Sequence, residues 1–172
     1  MILLQIFLMV HRHEAVNRGT GRAAQGHKAG SAKATAESHS AFTWPVRVYY
    51  EDTDFGGVVY HANYLRFLER GRTEWLRHLG FEQDVLRARL GVQFVVVGMR
   101  LAFHRPACFN HELTVSVKVT DIKRASMMFD QAIIDASNEN ALVCTAQVRT
   151  ACVDSVTLKP KPLPREIVAE LA

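Results

Sequence analysis

Between Tyr64 and Leu79 the apolar residues form something wider than a stripe. At 100° per residue, Tyr64, Leu65, Phe67, Leu68, Gly71, Trp75, Leu76 and Leu79 fall within an arc of about 180°. A helix with that much apolar surface has to be enclosed by another layer. Arg66, Glu69, Arg70, Thr73, Glu74 and Arg77 take the remaining side. Arg72 falls inside the apolar arc, where a guanidinium needs a carboxylate or carbonyl partner, and Glu69, one turn earlier, is the local candidate. His61 or Asn63 suits the N-cap, and Gly80 suits the C′ stop.

The enclosing layer follows. After a short second helix over Glu82 to Leu90, ended by Gly91, the period drops from helical to two. Val95, Val97, Met99, Leu101 and Phe103 alternate along one strand; Leu113, Val115, Val117 and Val119 along the next. Met127, Phe129, Gln131 and Ile133 mark a third, and Leu142, Cys144, Ala146, Val148 and Cys152 a fourth. Short turn-compatible links favour an antiparallel meander. The β-branched and aromatic run Val46 to Tyr50 reads as one more strand ahead of the long helix. With no crossover helices between the later strands, a doubly wound parallel sheet is excluded, leaving an α+β fold in which one sheet surrounds one helix. Pro160, Pro162 and Pro164 end the sheet, and Arg165 to Leu171 suits a last helical turn or two.

The chain is 48% hydrophobic and 172 residues long, enough for one ordinary core. A net charge of +4 is the mark of some nucleic-acid binders, but residues 1–41 carry +3 of it, and the body holds 16 basic against 15 acidic residues with no basic stripe. Nucleic-acid binding is therefore not expected. Met1 to Val10 is apolar but too short to span a bilayer and has no basic segment before it, so neither a signal peptide nor a stable membrane span is expected. His11 to Ser40 has no usable periodicity, so 1–41 reads as a disordered or non-native extension and 42–172 as a single domain. Cys108, Cys144 and Cys152 lack metal or redox spacing and read as free thiols in a reducing cytoplasm.

Chemistry concentrates just before the long helix. Glu51, Asp52 and Asp54 crowd three acids into four positions; burying one raises its pKa and makes it useful as a base. Gly56-Gly57 then permits a tight reversal and exposed amides. A helix N-terminus offers free N–H groups and partial positive charge to an oxyanion, so an acid beside it is the minimum equipment for acyl transfer. The bland reading of Asp54 is a turn aspartate capping local amides. A metal held by the acids and His61 is not expected, because His78, the next histidine along the helix, lies about 26 Å away.

The run Glu51-Asp52-Thr53-Asp54-Phe55-Gly56-Gly57-Val58-Val59-Tyr60-His61-Ala62-Asn63-Tyr64, with Phe67-Leu68-Glu69-Arg70 and Arg72-Thr73-Glu74, closely resembles the signature of YbgC-type acyl-CoA thioesterases, within the hydroxybenzoyl-CoA thioesterase family of hotdog-fold enzymes. That resemblance implies an antiparallel sheet wrapped around one long central helix and an acyl-CoA thioester hydrolase. Asp54 takes the catalytic position, as base or nucleophile, and His61 that of the YbgC-type histidine. Gly57, Val59, Tyr60 and Ala62 fall around the substrate, and Lys123 and Arg124 where such enzymes meet coenzyme A phosphates. Phe55 stands where a smaller residue or proline is common. No cofactor is implied beyond the coenzyme A of the substrate. A homodimer or homotetramer, a cytoplasmic location, acyl carrier protein as a partner and an association with the Tol-Pal envelope system are family expectations. The alternative is a hotdog module that binds acyl ligands or acyl carrier protein without turning them over.

Overall fold

A computed structural model of the chain describes residues 41–171; apart from Ala41, the expectation for 1–41 lies outside them. The element with the widest apolar arc becomes helix α1, His61–His78. Leu79 closes it, and Gly80 follows with φ +86°, the left-handed geometry that glycine adopts without a Cβ clash. Tyr64, Phe67, Leu68, Gly71, Trp75 and Leu76 are buried, whereas Leu65 at the margin of the arc stays exposed. Each large apolar side chain removed from water in this way contributes about 1.5–3 kcal/mol. Gly71 is required by closeness: a Cβ there would stand 2.8 Å from Val115 Cγ1.

Five antiparallel strands form the wrapping sheet: β1 Phe42–Arg47, β2 Val92–Phe103, β3 Glu112–Lys123, β4 Ser126–Asp135 and β5 Ala141–Asp154. Their order is β1-β3-β4-β5-β2. Only β3, β4 and β5 form the expected meander; β2 crosses to the far edge and pairs with β5. The first strand also ends earlier than its β-branched run suggested, and Tyr50–Asp52 coil into a 3-10 turn. A second helix, α2 Gln83–Leu90, leads into β2, and its terminal Gly91 takes φ +59°. A third, α3 Arg165–Glu170, follows the prolines and buries Ile167.

Alternation holds along β3 and β4, where Leu113, Val115, Val117, Met127, Phe129 and Ile133 face the helix. It fails in two places. A bulge between Val96 and Gly98 shifts β2 by one residue, so Phe94 and Val96, rather than Val95 and Val97, share a face with Met99, Leu101 and Phe103. An irregularity opposite Ile133 and Ile134 buries Val143 beside Cys144 and leaves Leu142 exposed. Helix α1 lies closest to β1 and β3, and α2 packs on β2. The helix-facing side chains of edge strand β2 are consequently only partly covered: Val96, Met99 and Phe103 remain exposed. The three cysteines are free, Cys144 and Cys152 in the core. Burial pushes the Cys144 thiol up to about 12.

Candidate active site

The acids and glycines ahead of α1 fold into a small hairpin. Thr53 and Val59 pair across it; between them the Asp54 N–H donates to the Val58 carbonyl at 2.9 Å and the Gly57 N–H to the Asp54 carbonyl at 3.0 Å. Gly57 has φ +76°, a conformation strained for any side-chain-bearing residue. The hairpin is stitched to both neighbours. Val59 N–H donates to the Ala107 carbonyl at 2.8 Å, and Val58 pairs with Cys108. On the helix side, the Asp52 carbonyl accepts the Tyr60 amide and the Asn63 side-chain amide, each at 2.9 Å. The buried Asp52 carboxylate accepts the Tyr49 N–H at 2.9 Å, so Asp52 is a structural knot.

Asp54 is half-buried on this frame. Its Oδ1 accepts the Gly56 N–H at 2.8 Å, the local capping bond of a turn aspartate. Among the described residues, Oδ2 has no donor. Helix α1 begins seven residues later, with Tyr60 as a cap that supplies no side-chain bond. Neither His61 nor Asn63 is therefore the N-cap: His61 is the first helical residue, and Asn63 reaches back to Asp52. The Asn63 N–H donates to the Tyr60 carbonyl, while the amides of His61 and Ala62 have no acceptor among the described residues. Free N–H groups at the positive end of a helix favour a negatively charged oxygen. The His61 ring is exposed and stacks at 4.3 Å, centroid to centroid, on Tyr60.

Two partnerships here had no sequence signal. Tyr64 turns inward, and its Oη accepts the Ala107 N–H at 3.1 Å, tying α1 to the loop that holds Val59. Burial pushes this phenol up to about 12; the Ala107 bond opposes the rise, while the nearby Cys144, Cys108 and Asp54 add to it. Arg72 takes neither Glu69 nor an acid of the hairpin as hydrogen-bond partner. Its Nη1 donates to Gln131 Oε1 at 2.7 Å, Gln131 in turn donates to the Leu68 carbonyl at 3.0 Å, and Glu69 accepts from Thr73. The partner is thus a carbonyl, from a neutral amide on the central strand rather than from Glu69, and burial lowers the guanidinium pKa.

The structure thus gathers Asp54, Gly57, Val59, Tyr60, His61 and Ala62 at one end of the sheet. Lys123 and Arg124 are elsewhere. They form the exposed β3–β4 tip, and Glu112 to Lys123 spans roughly 35 Å of strand, so within one chain they stand at the end opposite Asp54. Phe55 projects fully into solvent from the hairpin and lines nothing in a single copy. No group of acids, histidines and cysteines among the described residues is arranged to hold a metal ion.

Comparison with known proteins agrees with this architecture. Residues 48–171 match the model of the thioesterase-like superfamily. The acyl-CoA thioester hydrolase YbgC of Escherichia coli O6:H1 is 49% identical over 129 residues, 75% of this chain and 94% of that protein. The acyl-CoA thioesterase YbgC of Haemophilus influenzae is 42% identical over 130 residues, 76% of this chain and 93% of its own length. Among solved structures, a probable thioesterase from Bartonella henselae superposes with a TM-score of 0.69 at 37% identity, covering 73% of this chain and all of that one. With its sheet wrapped around one long helix, the chain belongs to the thioesterase-like superfamily, as a YbgC-type thioesterase of the hotdog fold.

Proposed function

We propose that the chain hydrolyses acyl-CoA thioesters to free acid and coenzyme A, at the junction of the Asp54 hairpin and the α1 N-terminus. One observation carries the placement: a half-buried carboxylate with one oxygen held by the Gly56 amide and the other undirected, joined by backbone hydrogen bonds to a helix start whose His61 and Ala62 amides are free. The thioester carbonyl sits on those amides, which stabilise the oxyanion as it forms. Asp54 then either attacks the carbonyl carbon or takes a proton from the water that does. On collapse the C–S bond breaks and the thiolate of coenzyme A leaves; on the first route water then hydrolyses the acyl-Asp54 anhydride to the free acid, and on the second the proton held by Asp54 passes to the thiolate. His61 orients the thioester or the water. Gly57, Val59 and Tyr60 shape the approach through their backbone. No cofactor is needed.

The same reading gives the protein a partner in its own second copy. Strand β1 is a short edge carrying Pro45, whereas β2 is a twelve-residue edge with Val96, Val97, Met99 and Phe103 exposed. Antiparallel pairing of two β2 strands about a two-fold axis covers that edge and brings the β3–β4 tip of one copy toward the Asp54 end of the other. Lys123 and Arg124 then meet the coenzyme A phosphates across the dimer. A tetramer of two such dimers, acyl carrier protein as an alternative acyl donor and a place in the cytoplasm accord with the family. Among the described residues, no helix is long and apolar enough to cross a membrane.

Free-thiol release from a panel of short, long and aromatic acyl-CoAs, by the intact protein and by Asp54→Asn, tests the reaction. Turnover by the first and not the second is the expected result. Silence from both, in protein that still binds acyl-CoA, would replace the hydrolase with a binding module.

A further inference from the structure

Because α1 leans toward β1 and β3, a partly covered apolar row runs beside it along β2. In register it reads Phe103, Leu101, Met99 and Val96, starting against Tyr64, whose ring is 5.5 Å from that of Phe103. At its far end the row opens into a pocket of about 90 Å³ between the second half of α1, the start of α2 and strands β2, β4 and β5. Most of the lining is apolar, including Trp75, Phe94 and Phe129. Five polar residues interrupt it, of which Thr73 and Gln83 are bonded to each other. Thr150 is buried and its Oγ1 has no hydrogen-bond partner, an unfavourable state that a guest could relieve. Arg72 lines the same space, with the Gln131 amide as the hydrogen-bond acceptor for its guanidinium. Glu69 also lines it, so the charges there balance.

Resting on the placement of the reacting carbonyl at the α1 N-terminus, we infer that this pocket receives the distal end of the acyl chain and selects a terminal hydroxyl over a terminal methyl. Arg72 lies about 16 Å along α1 from His61, a reach that an acyl chain of medium length covers along the β2 row. A hydroxyl accepts from the guanidinium and donates to Thr150 Oγ1, satisfying the orphaned oxygen. A methyl leaves it orphaned. A carboxylate meets Glu69 as well as Arg72, so the neutral group is favoured.

The test compares kcat/KM over a ladder of saturated acyl-CoAs with the same ladder carrying terminal hydroxyls or terminal carboxylates, in the wild-type protein, Thr150→Val and Arg72→Met. At the length that reaches the pocket, the wild type is expected to favour the hydroxylated chain by about tenfold, the size of one charge-assisted hydrogen bond. Thr150→Val, which keeps the shape and removes the orphan, should fold normally, lose that preference and hydrolyse the shortest chains at the wild-type rate. Arg72→Met should do the same; if it does not fold, Thr150→Val decides alone. No preference at any length in the wild type, a preference for the carboxylate, or a loss in Thr150→Val spread equally over all lengths would overturn the subsite. Failure of the wild type to hydrolyse even the shortest chains would overturn the site reading itself, a result distinct from a subsite that does not discriminate.

Discussion

Asp54 and Asp135 stand at the same end of the sheet and are used in opposite ways. Asp135 closes β4 with 1% of its surface exposed. Its Oδ1 accepts both the hydroxyl and the amide of Ser137, at 2.6 and 3.1 Å. Its Oδ2 lies 2.6 Å from His111 Nδ1, a close approach off the line of a straight hydrogen bond. Oδ1 is committed to the β4–β5 turn through Ser137, and Oδ2 is covered by the close His111 ring of the loop that leads into β3. Asp54, half-buried on a glycine hairpin, commits one oxygen to Gly56 and leaves the other undirected. Reactivity needs an incompletely satisfied carboxylate whose backbone is nonetheless held, and the Val58, Val59 and Tyr60 hydrogen bonds supply that holding without touching the carboxylate.

The largest effect expected from this contrast is on catalysis. Asp54→Asn retains the Oδ1 contact to Gly56 and should keep the melting temperature, yet lower acyl-CoA turnover by about 100-fold or more, read as free-thiol release. An unchanged rate would make Asp54 a second structural aspartate. Asp135→Ala should behave in reverse, costing about 2–3 kcal/mol in urea unfolding because Ser137 loses its acceptor and His111 its neighbouring carboxylate, while folded enzyme keeps most of its kcat. Gly57→Ala sharpens the comparison at the hairpin: with φ +76° the methyl strains the backbone by about 1–2 kcal/mol, and turnover should fall more than stability if the hairpin's shape orients Asp54.

Asp154 supplies the smallest effect and a useful control. Hydrogen bonds from the Thr157 and Val156 amides, with lesser help from the Thr157 hydroxyl and Lys161, lower its pKa from 3.8 to about 2. A depressed acid stabilises the fold above its unfolded pKa and loses that contribution as pH falls through the folded one, so the loss should lie between about pH 4 and pH 2. Asp154→Asn should flatten that part of the pH–stability curve and leave turnover at neutral pH unaltered.

Much of this was readable in advance where the signal is local. The span of α1, the glycine stops at Gly80 and Gly91, the alternation of β3 and β4 and the turn at Asp54 each depend on residues a few positions apart. The misreadings share a cause. Arg72 was assigned Glu69 because they are neighbours on one helix, but its hydrogen-bond acceptor, Gln131, comes from a strand 59 residues away. Val95 and Val97 were placed with Met99 because alternation assumes an unbroken register, which the bulge at Val96 and Gly98 breaks. Lys123 and Arg124 are a different case: strand length puts them at the end of one chain opposite Asp54, and the role that the resemblance implies for them rests on a second copy.

Periodicity, capping and turn chemistry, written in the order of the residues, determined that one enclosed helix would be followed by long antiparallel strands, with an acid and two glycines at the helix start. They act through bonds and rotations within a turn or two of the chain. Only the tertiary structure decided that β2 lies at the edge beside β5, that α1 covers the other half of the sheet, and that Thr150 is left without a partner beside Arg72. Those outcomes depend on which faces bury each other across dozens of residues, a competition among packings that no short stretch of sequence records.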